Sequence, residues 1–217
     1  EGGELEHTTN PLAFYEIAFL EEWEPILLDM IEYGRAMGIR ITHADSEDKS
    51  QVEMNQAPGR PLGYVDNFWT YRQLCRIVGR KHGLIATFMA KPFSDIAGSG
   101  MHLHVSLADR ACKNAFASEA PEGTELLKFA VGGMQALLND SMAVFAPNAN
   151  SYRRFRANSY APVAPTWGVN NRSVALRVPA GDAKNRRIEH RPSGVDANPY
   201  LIAATVLENA ALDRAQL

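Results

Sequence analysis

Cysteine is scarce in these 217 residues: Cys75 and Cys112 are the two present, at a spacing that suits neither a metal knuckle nor a redox pair. Cys75 falls among helical apolar positions, so a buried, reduced thiol and a reducing cytoplasmic setting are expected. No uninterrupted apolar run is long enough to cross a bilayer, and no basic-then-apolar leader opens the chain, so a membrane role is not expected. A Walker A loop is missing as well, because Lys91 is followed by Pro92 and no Gly-Lys-Ser/Thr occurs. Repeats, linkers and low-complexity tracts are absent. What is present, 46% hydrophobic and 22% charged residues, has the balance of a globular protein with a real core and one to two domains.

The net charge of −3 conceals a segregation. From Glu1 to Ala57 there are thirteen Asp and Glu against three Lys and Arg. From Pro147 to Gly194 there are nine Lys and Arg against Asp182 and Glu189. Acidic clusters suit hard cations, and guanidinium clusters suit phosphate or carboxylate. The basic residues interleave with Glu189, prolines and apolar strand residues. A nucleic-acid backbone calls for a continuous basic surface, so no nucleic-acid partner is expected.

The most telling stretch is Lys91 to Leu107, Lys-Pro-Phe-Ser-Asp-Ile-Ala-Gly-Ser-Gly-Met-His-Leu-His-Val-Ser-Leu. Strand formers precede it (Leu84, Ile85, Thr87, Phe88) and predict a strand that Pro92 ends. Gly98 and Gly100 let a ligand or another backbone come close. From Met101 the pattern alternates: His102, His104 and Ser106 share one strand face, and Met101, Leu103, Val105 and Leu107 share the other. Two imidazoles and a hydroxyl opposite an apolar face call for water, metal or ligand.

Elsewhere, Asn10-Pro11 opens a helix that Pro25 restarts and Gly38 stops. Ile39 to Asp45 alternates as a strand, with Asp45 and Glu47 on one face and Glu53 returning on a second strand after a polar turn. Facing carboxylates repel unless a cation sits between them, though a solvated acidic hairpin also fits this segment. Asp66 or Asn67 is read as the cap of a helix ending at Gly83, and another helix spans about Glu122 to Leu138. Asn148 to Pro165 reads as an irregular binding loop. Strands are predicted at Arg172 to Val178 and Arg187 to Arg191, and Asn198-Pro199 launches a final helix. The fold class expected is α/β of the α+β type: a curved antiparallel sheet around a metal site, backed by helices.

These blocks carry a resemblance. Lys91-Pro92 followed by Gly98-Ser99-Gly100-Met101-His102-Leu103-His104-Val105-Ser106 resembles the ATP-region signature of the glutamine synthetase superfamily. Asn150-Ser151-Tyr152-Arg153-Arg154, Asn171-Arg172-Ser173 through Arg177, and Arg187-Ile188-Glu189-His190-Arg191 resemble its other blocks, in the family's order. The resemblance runs along nearly the whole chain and corresponds to about the C-terminal half of a member. It implies that residues 1–217 are part of one catalytic domain. It also implies ATP-dependent ligation of ammonia or an amine to the γ-carboxylate of glutamate through γ-glutamyl phosphate, with Mg²⁺ or Mn²⁺, in a homo-oligomeric ring.

Roles follow at matching positions. The resemblance gives His102 and Glu189 to the metal bridging the nucleotide phosphates. Glu53, with Asp45 or alternatively Glu47, would hold the metal near the substrate carboxylate. His104, Ser106, Arg177, Lys184 and Arg187 would contact ATP. Gly98, Arg154 and Arg191 would bind glutamate, and Arg172 would stabilise the transferring phosphoryl group. Two departures modify this expectation. The family's glutamate pair before the first helix and its N-terminal domain have no counterpart here, so the 217 residues alone are expected to be inactive; a non-catalytic relative is the opposing reading. Ammonia-using members carry Gly-Tyr-Glu-Ala-Pro where this chain reads Asn158-Ser159-Tyr160-Ala161-Pro162. Tyr160 stands in the place of a carboxylate that holds ammonium, so an organic amine acceptor is expected, with glutamine synthetase proper as the alternative.

Overall fold

The computed structural model describes residues 17–48, 51–157 and 159–212. Asn10-Pro11 and Asn158 lie outside them. The chain divides into one unit of Glu1–Phe88 with Ser94–Ile96, and another of Met89–Phe93 with Ala97–Leu217.

In the first unit, helix α1 (Ile17–Ala36) leads to strands β1 (Ile41–Ser46) and β2 (Val52–Gln56) and then to helix α2 (Pro61–Lys81). Pro25 does not restart α1 but lies inside it. Flanking Ile26, Leu27 and Met30 are buried with Tyr71, Leu74, Cys75 and Val78, and that burial offsets the backbone hydrogen bond Pro25 cannot make. Both helices end by one device. Gly38 and Gly83 take left-handed φ of 78° and 74°. Ile39 then donates its amide to the Gly34 carbonyl and Leu84 to that of Gly79, each at 2.8 Å.

Helix α2 begins earlier than its sequence suggests. Pro61 occupies the first turn and Arg60 precedes it without a side-chain cap, so Asp66 and Asn67 fall inside the helix and cap nothing. The free Cys75 thiol is buried, and burial pushes it up to about 12, as befits an inert core thiol. The strand predicted at Leu84 to Phe88 does not form. Leu84, Ala86 and Phe88 do alternate onto the core, but the segment pairs with no strand among the described residues.

The second unit is a four-stranded sheet with helices packed on its apolar face. Strands β3 (Leu103–Val105), β4 (Trp167–Val169), β5 (Leu176–Val178) and β6 (Ile188–His190) lie in the order β3-β6-β5-β4. Helices α3 (Glu125–Ala136), α4 (Met142–Phe145), α5 (Ala149–Tyr152) and α6 (Pro199–Leu212) complete it. The Thr124 hydroxyl caps α3 by accepting from the Leu127 amide at 3.3 Å. The Asn198 side chain accepts from the Tyr200 amide at 2.9 Å at the start of α6.

The architecture is therefore mixed α/β. The single antiparallel sheet expected from the sequence is replaced by the β1–β2 hairpin and a sheet whose β4–β5 pair is parallel. The parallel pair arises because the chain turns twice between those strands. Asn170 sits at φ 49°, and the Asn171 side chain accepts from the Ser173 amide at 2.8 Å. That turn also shortens the strand predicted from Arg172, which begins only at Leu176.

Candidate active site

The alternation at β3 survives in the fold. Val105 is buried in the core, and Met101, Leu103 and Leu107 pack against it. His104 and Ser106 face away and are exposed, with His102 half-buried on the same side. The register of β3 against β6 sets His104 opposite Glu189. That of β6 against β5 sets Glu189 opposite Arg177.

Glu189 is the centre of this arrangement, at 2% exposure. Its Oε2 accepts from Arg177 Nη1 at 2.8 Å and its Oε1 from Arg191 Nη1 at 2.5 Å. His102 Nδ1 stands 3.2 Å from the same Oε1. Burial pushes the Glu189 carboxyl up, but the surrounding cations, with Arg191 and Arg177 in direct contact, outweigh it and leave it net below the usual range. Burial, reinforced by Arg191, takes His102 down to about 3, so its imidazole is neutral and able to ligate. His104 accepts at Nδ1 from Arg187 Nε at 3.0 Å.

Arg154 lies in a slot with glycine walls. A Cβ on Gly98 would stand 2.5 Å from Arg154 Cγ, one on Gly100 3.0 Å from its Nη2, and one on Gly194 3.4 Å from its Nη1. The guanidinium donates to the Pro192 carbonyl at 2.9 Å, and burial lowers it to about 10, still a cation at neutral pH. The Gly100 position is also 3.3 Å from His102 Nε2, so Arg154 and His102 flank the same gap. The Nε groups of Arg154, Arg177 and Arg191 are all buried without a hydrogen-bond partner. Buried donors left unpaired are costly, and an anion entering here would satisfy them.

The sheet thus gathers His102, His104, Arg177, Arg187, Glu189 and Arg191, with Gly98 and Arg154 adjoining through Gly100. Lys184, in a short 3-10 turn (Ala183–Asn185), Ser106 and Arg172 are exposed and are not part of this gathered group. The Tyr160 side chain is 63% exposed, while its carbonyl accepts from Arg191 Nη2 at 3.3 Å. Asp45 and Glu53 belong to the other unit, where they are direct partners across β1–β2 and both face outward of the strand pair's core contacts. Glu47 lies just past the end of β1.

Three polar residues with structural duties here carried no role in the sequence. Asn150 accepts from the Lys91 amide at 2.8 Å and donates to the Lys91 carbonyl at 2.9 Å, fixing the start of the glycine turn. Asn114 donates to the carbonyls of Lys184 and Arg186, at 2.9 and 2.8 Å, and so tethers the basic loop. Asp196 accepts from Ser151 Oγ at 2.6 Å and Asn148 Nδ2 at 3.0 Å, anchoring the turn before Arg154. Each acts on backbone or neighbours distant in sequence, which no periodicity reveals.

The donor chemistry fits a hard cation only in part-built form. Among the described residues no group of three or more His, Cys, Asp or Glu is gathered for a metal. The 3.2 Å between His102 Nδ1 and Glu189 Oε1 is near the roughly 3 Å that separates adjacent ligands of an octahedral Mg²⁺. Two protein ligands are what Mg²⁺ commonly takes when waters and phosphate oxygens supply the rest.

Comparison with known proteins agrees with this chemistry. The model of the family described as glutamine synthetase, catalytic domain, matches residues 5–213. The chain is 40% identical over 194 residues to the gamma-glutamylputrescine synthetase PuuA of Escherichia coli, covering 88% of this chain and 41% of that protein. It is 36% identical over 203 residues to a glutamine synthetase of Pyrococcus furiosus, covering 92% and 45%. A glutamate–isopropylamine ligase of a Pseudomonas species is 35% identical over 185 residues, covering 84% and 40%. The solved structure described as apo GmaS without ligand superposes with a TM-score of 0.83 at 28% identity, over 94% of this chain and 48% of that one. The chain thus spans less than half the length of these relatives. With the family model matched over nearly all its residues, this chain belongs to the glutamine synthetase catalytic-domain family.

Proposed function

We propose that the protein carrying this chain joins an organic amine to the γ-carboxylate of glutamate at the expense of ATP. A γ-carboxylate oxygen attacks the terminal phosphorus and ADP leaves. The amine nitrogen then attacks the acyl carbon of γ-glutamyl phosphate, gives up a proton and expels phosphate. The observation that carries this reading is the cation excess at this site: Arg177 and Arg191 contact the buried Glu189, Arg154 adjoins at the Gly100 position, and all three keep a buried Nε donor without a partner. Such a pocket suits two anionic reactants that would otherwise repel one another.

In this reading Arg154 and Arg191 hold the substrate carboxylates, and Gly98 keeps the approach open. Arg177, Arg187, Lys184, His104 and Ser106 face the nucleotide, and Arg172 meets the transferring phosphoryl group from its exposed turn. His102 with Glu189, and Asp45 with Glu53, would hold Mg²⁺ or Mn²⁺, which when bound supplies neutralisation of phosphate charge. The 217 residues act as part of a catalytic domain in a cytoplasmic homo-oligomer, without ligase activity alone.

The organic-amine preference rests on Tyr160 and on the relatives named for putrescine and isopropylamine. Tyr160 offers a hydroxyl where a carboxylate would stand, and a hydroxyl neither holds ammonium by charge nor readily takes its proton. The exposed Tyr160 ring offers an apolar face, or a π-face for a second ammonium group, worth about 0.5–2 kcal/mol. The test is kcat/KM of the intact protein for ammonium, methylamine, putrescine and an aromatic amine. A preference for an organic amine is expected, with Tyr160→Glu raising relative ammonium use. A preference for ammonium would restore glutamine synthetase proper.

A further inference from the structure

Glu189 Oε1 has two claimants. Arg191 Nη1 donates to it at 2.5 Å, and it is also the oxygen facing His102 Nδ1 at 3.2 Å. A cation held between His102 and Glu189 therefore needs the oxygen that Arg191 now occupies. Glu189 would not be stranded by the exchange, because Arg177 remains on Oε2 at 2.8 Å. Arg191 would be weakly held without it: Nη2 makes a long bond of 3.3 Å to the Tyr160 carbonyl, and Nε has no partner. A guanidinium in that state has two adjacent donors ready for the two oxygens of a carboxylate.

We propose that Arg191 is a built-in stand-in for the divalent cation, neutralising Glu189 until the cation arrives and becoming available to the substrate carboxylate only then. The inference rests on the proposed reading of this site and adds to it a coupling between two ligands. Charge drives the exchange. One carboxylate against Arg177 and Arg191 already carries a net positive charge, and a dication beside them repels the nearer guanidinium. An arriving carboxylate removes that repulsion. Cation and glutamate should accordingly strengthen one another's binding, each by the same factor.

The experiment is titration calorimetry on the full chain with MnCl₂ and L-glutamate, each alone and in the presence of the other, without nucleotide. Saturating Mn²⁺ should lower the L-glutamate Kd about tenfold, within the range typical of coupled sites, and L-glutamate should lower the Mn²⁺ Kd equally. Arg191→Gln should bind Mn²⁺ severalfold tighter than the unaltered chain, and the coupling should vanish. Unchanged or weaker Mn²⁺ binding by Arg191→Gln overturns the exchange, as does independent binding in the unaltered chain, a result that needs no variant to fold. Glu189→Gln separates the two levels. If it abolishes the Mn²⁺ event while Arg191→Gln fails to tighten it, the exchange alone is wrong. If it leaves Mn²⁺ binding untouched, the cation is not at Glu189 and the site reading falls with the proposal.

Discussion

The hairpin of the first unit and the sheet of the second solve opposite electrostatic problems. In β1–β2, Asp45 and Glu53 face each other across the ladder, and each meets a nearby neutral or titratable group: His43 Nε2 at 2.9 Å and Asn55 Nδ2 at 2.9 Å. In the sheet one carboxylate is buried among several cations. That pair, half-buried at Asp45 and exposed at Glu53, can wait in water for a counter-ion. The buried one needs its counter-ions inside the protein, since a charge out of water without partners is far more expensive. On the proposed reading, solvent access would decide which acidic residues take a cation from an open position and which first exchange an internal partner.

Removing the carboxylate should separate the regions most sharply. Glu189→Ala leaves Arg177 and Arg191 facing each other in a buried site and should cost about 3–5 kcal/mol in chemical denaturation. Asp45→Ala should stay within about 0.5 kcal/mol. Equal losses would mean the two environments differ less than their burial suggests.

Acid sharpens the contrast next. His190 is buried in the sheet with its ring 4.4 Å from that of Phe145, and burial depresses it to about 3. On acidification the unfolded chain takes that proton first, near its ordinary pKa of about 6.5. Stability should be complete above that value and fall as pH drops towards 3, by at most about 1.4 kcal/mol per pH unit. His190→Leu should flatten this slope in pH-dependent unfolding, and an unaltered slope would assign it to other groups.

Gly98→Ala should cost about 1–3 kcal/mol, because the new methyl meets both Arg154 Cγ and the Ala90 carbonyl. It should weaken L-glutamate binding more than nucleotide binding. The smallest effect belongs to the hairpin. Asp45→Asn relieves like charges directly opposed and should stabilise the metal-free protein by about 0.2–1 kcal/mol, a gain that saturating Mg²⁺ reverses. No difference with and without Mg²⁺ would leave the hairpin a solvated acidic surface.

Much of this arrangement was legible in the sequence for physical reasons. The face of β3 carrying His102 and His104 followed from strict alternation, and both helix stops followed from glycine's access to left-handed backbone. An acidic face opposite Glu53 could be read from the spacing of two strands and their turn, which left Asp45 and Glu47 both open until the register paired Asp45 with Glu53. The misreadings had causes of a different kind. Pro25 is tolerated through packing that sequence does not display, and Leu84 to Phe88 has strand composition without a partner strand. Asn171 captures the Ser173 amide and so ends an alternation that looked continuous from Arg172. Asn114, Asn150 and Asp196 were invisible because what they hold lies 45 to 72 residues away.

The slot around Arg154 has a consequence for how this site can change. Its walls at residues 98, 100 and 194 are backbone, each with the side chain already reduced to hydrogen. Nothing further can be trimmed from them, and anything added narrows the slot. Adaptation at these positions is thus closed in both directions, and a new preference must come from the occupant or from the rim, where Tyr160 is exposed. A mutational library aimed at altered acceptors should return its variants from around Tyr160 and almost none from the three glycines.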